Sequence, residues 1–130
     1  MDKQYYPVEI EEKWSKIWSE RVISNKNSKD SFSQVIPPPN VTGTLHMGHS
    51  FQYAIMDFYT RYHHMTGKDA HWQVGADHAG IATQMVVENN LAKKDITRHR
   101  LGREKFLDEV WSWKDYSEEK ITSQIKRLGC

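Results

Sequence analysis

The stretch VIPPPNVTGTLHMGHSF, Val35 to Phe51, decides how the rest of the chain is read. It holds three prolines, an asparagine, two glycines and two histidines, a composition poorly suited to packing a core and well suited to shaping backbone around a ligand. Pro37 cannot donate to a β-ladder, so the run before it, Phe32 to Ile36, reads as a short buried strand that the prolines end. Beyond the turn, Phe51, Ala54, Ile55, Phe58, Tyr62 and Met65 recur at i, i+3, i+4 spacing. This spacing predicts a helix that starts between Leu45 and Gly48 and closes at Gly67 in the left-handed conformation.

Working outward, Ala70 to Val74 is a second short apolar run, followed by a glycine-bounded turn from Gly75 to Gly80 and a helical stretch from Ile81 to about Lys93. Strand, helix, strand, helix is a βαβ unit, which implies a parallel sheet with a right-handed crossover. Ahead of it, Ile10, Trp14, Ile17 and Trp18 mark one face of an amphipathic helix, and Ser24 to Ser31 is a polar loop. Behind it, the chain is helical from Thr97 through Leu101, Phe106, Val110 and Trp113, and a further segment through Ile121, Ile125 and Leu128 ends at Gly129. The fold class is therefore α/β, a βαβ unit with flanking helices. Two strands do not complete a doubly wound sheet, so the chain is expected to be part of something larger.

Composition narrows the function. With 18 basic and 17 acidic residues the formal charge is +1, which gives no global attraction to a polyanion. Cys130 is the only cysteine, so no internal disulfide or cysteine-built zinc site can form within these residues. The opening MDKQYYPVEIEEKW lacks the apolar core of a secretory signal, and no run approaches the length of a membrane helix. A cytoplasmic protein without a membrane partner is expected.

Both unusual turns follow predicted strands, at the carboxyl ends where parallel sheets place ligands, so PPPNVTGTLHMGH and GADHAG are expected to face one crevice. Gly43 and Gly48 allow backbone to approach a ligand, and a helix starting there directs free N–H groups outward. His46 and His49 fall on neighbouring positions of its first turn. Together they suggest a phosphate cradle with two adjustable donors. Three readings compete. Solvated histidines beside a plain loop are one, and a zinc site built from His46, His49, Asp77 and His78 is another. The third is a nucleoside triphosphate site, for which GTLHMGHS has the glycine spacing and final Ser50 of a P-loop but carries His49 where that loop needs lysine.

HMGH, residues 46–49, resembles the HIGH signature of the class I aminoacyl-tRNA synthetases. PPPNVTGTLHMGH together with WQVGADHAGIATQMVVE, Trp72 to Glu88, resembles the valyl-tRNA synthetase family within that class, and the resemblance runs from Tyr6-Pro7 and Trp14 to Arg127-Leu128-Gly129. It implies a partial Rossmann-like nucleotide-binding fold, with residues 1–31 an amino-terminal helix and loop and residues 32–130 the first half of a catalytic domain. It also implies a valine-tRNA ligase that activates valine with ATP and transfers it to tRNA-Val, with isoleucyl- and leucyl-type relatives as alternatives, and a His-based metal-binding or nucleotide-binding module beside them. The family's second signature, KMSKS, does not occur here. By the same resemblance the chain is an amino-terminal fragment whose carboxyl-terminal remainder is missing, inactive or weakly active alone.

Site residues follow. The resemblance gives His46 and His49 the catalytic role of stabilising charge on the phosphates, and ATP and adenylate binding falls to Asn40, Thr44, His46, Gly48 and His49. ATP is expected as its Mg2+ complex, and no protein-held metal is expected. Pro37, Pro38, Asn40 and Asp77 are expected to bind the amino acid, Asp77 as the counter-charge of its ammonium, with His78, Thr83 and Gln84 in the same crevice. Trp111 and Trp113 read as core or interdomain anchors.

Overall fold

Two five-residue strands, β1 (Ser31–Val35) and β2 (Asp69–Gln73), pair in parallel with Phe32 opposite Ala70 and Gln34 opposite Trp72. The computed structural model describes residues 4, 6–20 and 28–130, so Ser24 to Asn27 of the expected polar loop lie outside the described residues. The chain divides into two compact units: Met1–Ile36, Met47–Gln73 and Gln124–Cys130 form one, here the sheet unit, and Pro37–His46 and Val74–Ser123 form the other, the turn unit.

In the sheet unit the strands are joined through α2 (Met47–Met65), which starts within the expected window. The predicted parallel βαβ arrangement is present, each strand beginning one residue earlier than read from sequence. The ladder still reaches the prolines, because Ile36 N–H donates to the Gln73 carbonyl at 2.9 Å. Alternation places Phe32, Gln34, Ala70 and Trp72 on the face toward α2. Phe32 stacks on His63, Tyr53 meets Trp72 edge-on, and the Gln34 amide donates to the Met56 carbonyl and the Thr60 hydroxyl, both at 2.6 Å. The opposite face, with Ser33, Val35, His71 and Gln73, is exposed. This corrects in part the reading of Phe32 to Ile36 as a short buried strand, since Ile36 is buried but Val35 is 69% exposed.

A second correction concerns α2. The stripe that reveals it in the sequence, Phe51, Ile55, Phe58, Tyr62 and Met65, is exposed, while Tyr53 and Thr60 form its buried face. The two faces lie on opposite sides of the helix, so periodicity reports the helix but not which side packs. Gly67 closes it as expected, at φ 87°, with Gly67 N–H bonded to the His64 carbonyl and Lys68 N–H to the His63 carbonyl.

The first helix, α1 (Pro7–Ser19), has proline in its opening turn, where a missing N–H costs nothing. Its Trp18 packs against Gly129, and its Glu11 pairs with Arg127. Arg61 of α2 lies over the Trp18 ring and donates to the Gly129 carbonyl at 2.6 Å.

In the turn unit, α3 (Gly80–Ala92) buries Thr83, Val87 and Leu91. A short α4 (Arg98–Leu101) is capped by the Thr97 hydroxyl, and Gly102, at φ 82°, separates it from α5 (Arg103–Arg127), whose last residues belong to the sheet unit. The expected break between Trp113 and Ile121 is absent. Ser117, fully buried, carries the stripe from Phe106, Val110 and Trp113 on to Ile121 and Ile125, and its polarity hides that continuity in the sequence.

Candidate functional site

The turn unit brings the two loops together. Val41 N–H donates to the Asp77 carbonyl at 3.0 Å and Asp77 N–H donates to the Pro39 carbonyl at 2.9 Å, so Asn40 and Asp77 form a single parallel bridge. Parallel pairing thus resumes after the prolines, one pair long, between the two turns that the sequence assigns to one crevice. Pro39 and Val41 are buried on either side of Asn40, whose side chain is exposed.

The second turn is held by its own side chains. Asp77 Oδ1 accepts from Ala79 N–H at 2.9 Å, an Asx-turn, and the Thr83 hydroxyl donates to the His78 carbonyl at 2.6 Å. Between them Ala79 has φ 44°, a left-handed conformation that costs a non-glycine residue roughly 1–2 kcal/mol. Four bonds and a buried threonine hold a conformation the backbone alone would not choose, a pattern that marks functional turns.

From α5, two tryptophans reach the turns. Trp111 meets His78 edge-on at 6.2 Å between ring centroids, and the Trp113 indole N–H donates to the Val41 carbonyl at 2.9 Å. Beside His78, a cavity of about 180 Å³ is lined by Gly80, Thr83, Leu107, Val110, Trp111 and Lys114. Lys114 pairs with Asp115 and Glu118, and bonds to these carboxylates, Glu118 first, raise its pKa above the usual lysine value.

The remaining candidates are placed as follows. Pro37, Pro38, Thr44, His46, Gly48 and His78 are exposed, and His49 is half-buried with its ring 5.9 Å from that of Tyr53. His46 belongs to the turn unit, whereas Gly48 and His49 lie in the first turn of α2 in the sheet unit. Thr83 lies under the turn with its hydroxyl already bonded, and the Gln84 amide donates to Glu88 at 2.7 Å. Among the described residues no group of three His, Cys, Asp or Glu side chains stands close enough to hold a metal ion. Trp113, read from sequence as a core or interdomain anchor, makes a bond to position 41 that nothing in the local sequence announces.

The family model described as tRNA synthetases class I (I, L, M and V) matches residues 9–130. The chain belongs to the class I tRNA synthetases. Among curated members of this class, it is 59% identical to the valine--tRNA ligase of Acinetobacter baylyi over 126 residues, covering 96% of this chain and 13% of that protein. It is 52% identical to the valine--tRNA ligase of Francisella tularensis over 132 residues, covering 99% and 14%, and 53% identical to that of Neisseria meningitidis serogroup A over 133 residues, covering 100% and 14%. This class I synthetase chain therefore spans 13–14% of the length of the relatives it matches. No helix among the described residues is long and apolar enough to cross a membrane.

Proposed function

We propose that the chain carries the ATP- and valine-binding part of a valine-tRNA ligase, with residues 32–130 the first half of a Rossmann-like catalytic domain working in cytoplasmic translation. The observation that carries the reading is the 52–59% identity to valine--tRNA ligases over 96–100% of the chain. The Asn40–Asp77 backbone bridge is in keeping with it, because it joins the two turns that carry the proposed amino-acid-binding residues.

The chemistry asks for two things. Attack of the valine carboxylate on the α-phosphorus of ATP, supplied as its Mg2+ complex, puts negative charge on phosphate oxygens as pyrophosphate leaves, and preorganised donors stabilise that charge. His46, His49 and backbone N–H groups at Thr44 and Gly48 take this role. The valine ammonium, drawn out of water, needs a counter-charge. Asp77 supplies it through Oδ2, Oδ1 being engaged by Ala79 N–H, and Asn40 adds an amide oxygen. Pro37 and Pro38 offer apolar surface to the branched side chain, and His78 borders the same crevice, whereas Gln84 lines a different hollow with Arg98 and Phe106. Transfer to tRNA-Val then belongs to the whole enzyme.

The test is a full-length ligase in which these residues replace the matching segment of the Acinetobacter baylyi protein, assayed by amino-acid-dependent ATP–pyrophosphate exchange. Valine should drive the exchange. Exchange driven by isoleucine or leucine instead would move the chain to another branch, and exchange with no amino acid would remove the reading altogether.

A further inference from the structure

Asn40 is exposed, yet the backbone on both sides of it is tied down. The Pro39 carbonyl before it accepts from Asp77 N–H, and Val41 after it is bonded at both ends, its N–H to the Asp77 carbonyl and its carbonyl to the Trp113 indole. Two of these bonds belong to the bridge between the turns. The third comes from α5, 72 residues along the chain.

That third bond has the properties of a positioning contact. Val41 is 1% exposed, so its carbonyl cannot turn to water for a partner. The indole N–H is a donor only, with no acceptor function to offer an alternative arrangement. It is carried on a helix of 25 residues, a rigid element rather than a loop, and rigid supports hold a binding group to tighter tolerances. The Val41 N–H lies in the peptide before Val41 and its carbonyl in the peptide after it, so the bridge and the indole hold the two peptides on either side of the Val41 α-carbon.

We infer that Trp113 is a positioning residue for Asn40: its indole N–H holds the Val41–Thr42 peptide, and with the bridge bond of Val41 N–H this fixes the backbone of Val41, the residue next to Asn40, so that the Asn40 side chain is presented to the ammonium of the amino-acid substrate in one orientation. The inference rests on the proposed function and adds a residue to that site. Trp113 itself touches no substrate.

A tryptophan that merely fills a core would, when replaced, lower the amount of folded enzyme and leave the Michaelis constant of what remains unchanged. A positioning residue moves the Michaelis constant. In the full-length ligase carrying these residues, Trp113→Phe keeps a flat ring without the donor, and Trp113→Met fills the space flexibly, also without it. Valine-dependent pyrophosphate exchange should show the valine KM raised about tenfold in both, with kcat and the ATP KM changed by less than about threefold. KM does not depend on how much of the enzyme is folded, so partial misfolding does not obscure the result. An unchanged valine KM, a loss in kcat alone, or failure of both variants to give soluble enzyme would each overturn the inference while leaving the functional reading in place. Absence of valine-dependent exchange in the unsubstituted enzyme would overturn that reading, and the inference with it.

Discussion

The proposed site gives Asp77 two jobs with one carboxylate, and the two can be separated. Asp77→Asn keeps an oxygen for Ala79 N–H, so the Asx-turn and its left-handed Ala79 should persist, but it removes the charge offered to the ammonium. Because Asp77 is exposed, solvent screens part of that charge, and the valine KM should rise about ten- to a hundredfold rather than more. Pyrophosphate exchange at varied valine measures this, and an unchanged KM would remove Asp77 from the amino-acid site. His46→Ala and His49→Ala should act on the other quantity, each slowing adenylate formation on the order of 10²–10³-fold. Their melting temperatures should hardly move, since neither side chain is buried. Cys130 gives a test independent of catalysis. Burial pushes its thiol up to about 11, with the Asp57 carboxylate adding to the effect and Arg61 opposing it. A raised pKa means less thiolate at a given pH, so alkylation by iodoacetamide at pH 8 should be about 100-fold slower than for an ordinary cysteine. The rate should recover in urea or as the pH approaches 11. Rapid labelling of the folded chain at pH 8 would show that the thiol is not desolvated.

Among the elements, those with local punctuation were legible in the sequence and those without it were not. The prolines end β1, Gly67 closes α2, and β2 and α3 flank a glycine-bounded turn, so the βαβ unit could be read residue by residue. The α5 helix could not, because Ser117 interrupts its apolar stripe in composition while continuing it in burial. Nor could the packed side of α2, a helix with apolar or aromatic residues on both faces, where only the tertiary partner decides. In the candidate site, the two turns with His46 and Asp77 stand out by type and spacing, whereas Asn40 is assigned by the family resemblance. The Trp113 bond does not stand out, for a donor 72 residues away leaves no mark on the motif it supports. Gly129 belongs at this scale as well, since it lies just past the end of α5 where Trp18 of α1 and Arg61 of α2 meet it. Its φ of 79° suits glycine, and an added Cβ would stand 2.9 Å from Trp18. Gly129→Ala should therefore destabilise the chain by about 1–3 kcal/mol, read as a lower melting temperature or denaturant midpoint. A change within about 0.5 kcal/mol would mean that the Trp18 contact gives way freely.

For the molecule as a whole, the exposed stripe on α2 matters more than the net charge. Phe51, Phe58 and Met65 are 70%, 66% and 88% exposed along one helix face, and a formal charge of +1 offers little repulsion between copies. The isolated chain should bind a hydrophobic dye and scatter light as its concentration rises. The double variant Phe51→Ser, Phe58→Ser should do both less, at an unchanged melting temperature, whereas equal dye binding by parent and variant would place the sticky surface elsewhere. The tie between Val41 and Trp113 has a consequence in time. A ribosome adding about 5–20 residues per second reaches the tryptophan some 4–14 s after the valine. Throughout that interval the proline turn has emerged without the anchor that later holds it, so a nascent chain carries its most conspicuous motif for seconds before the motif acquires its shape.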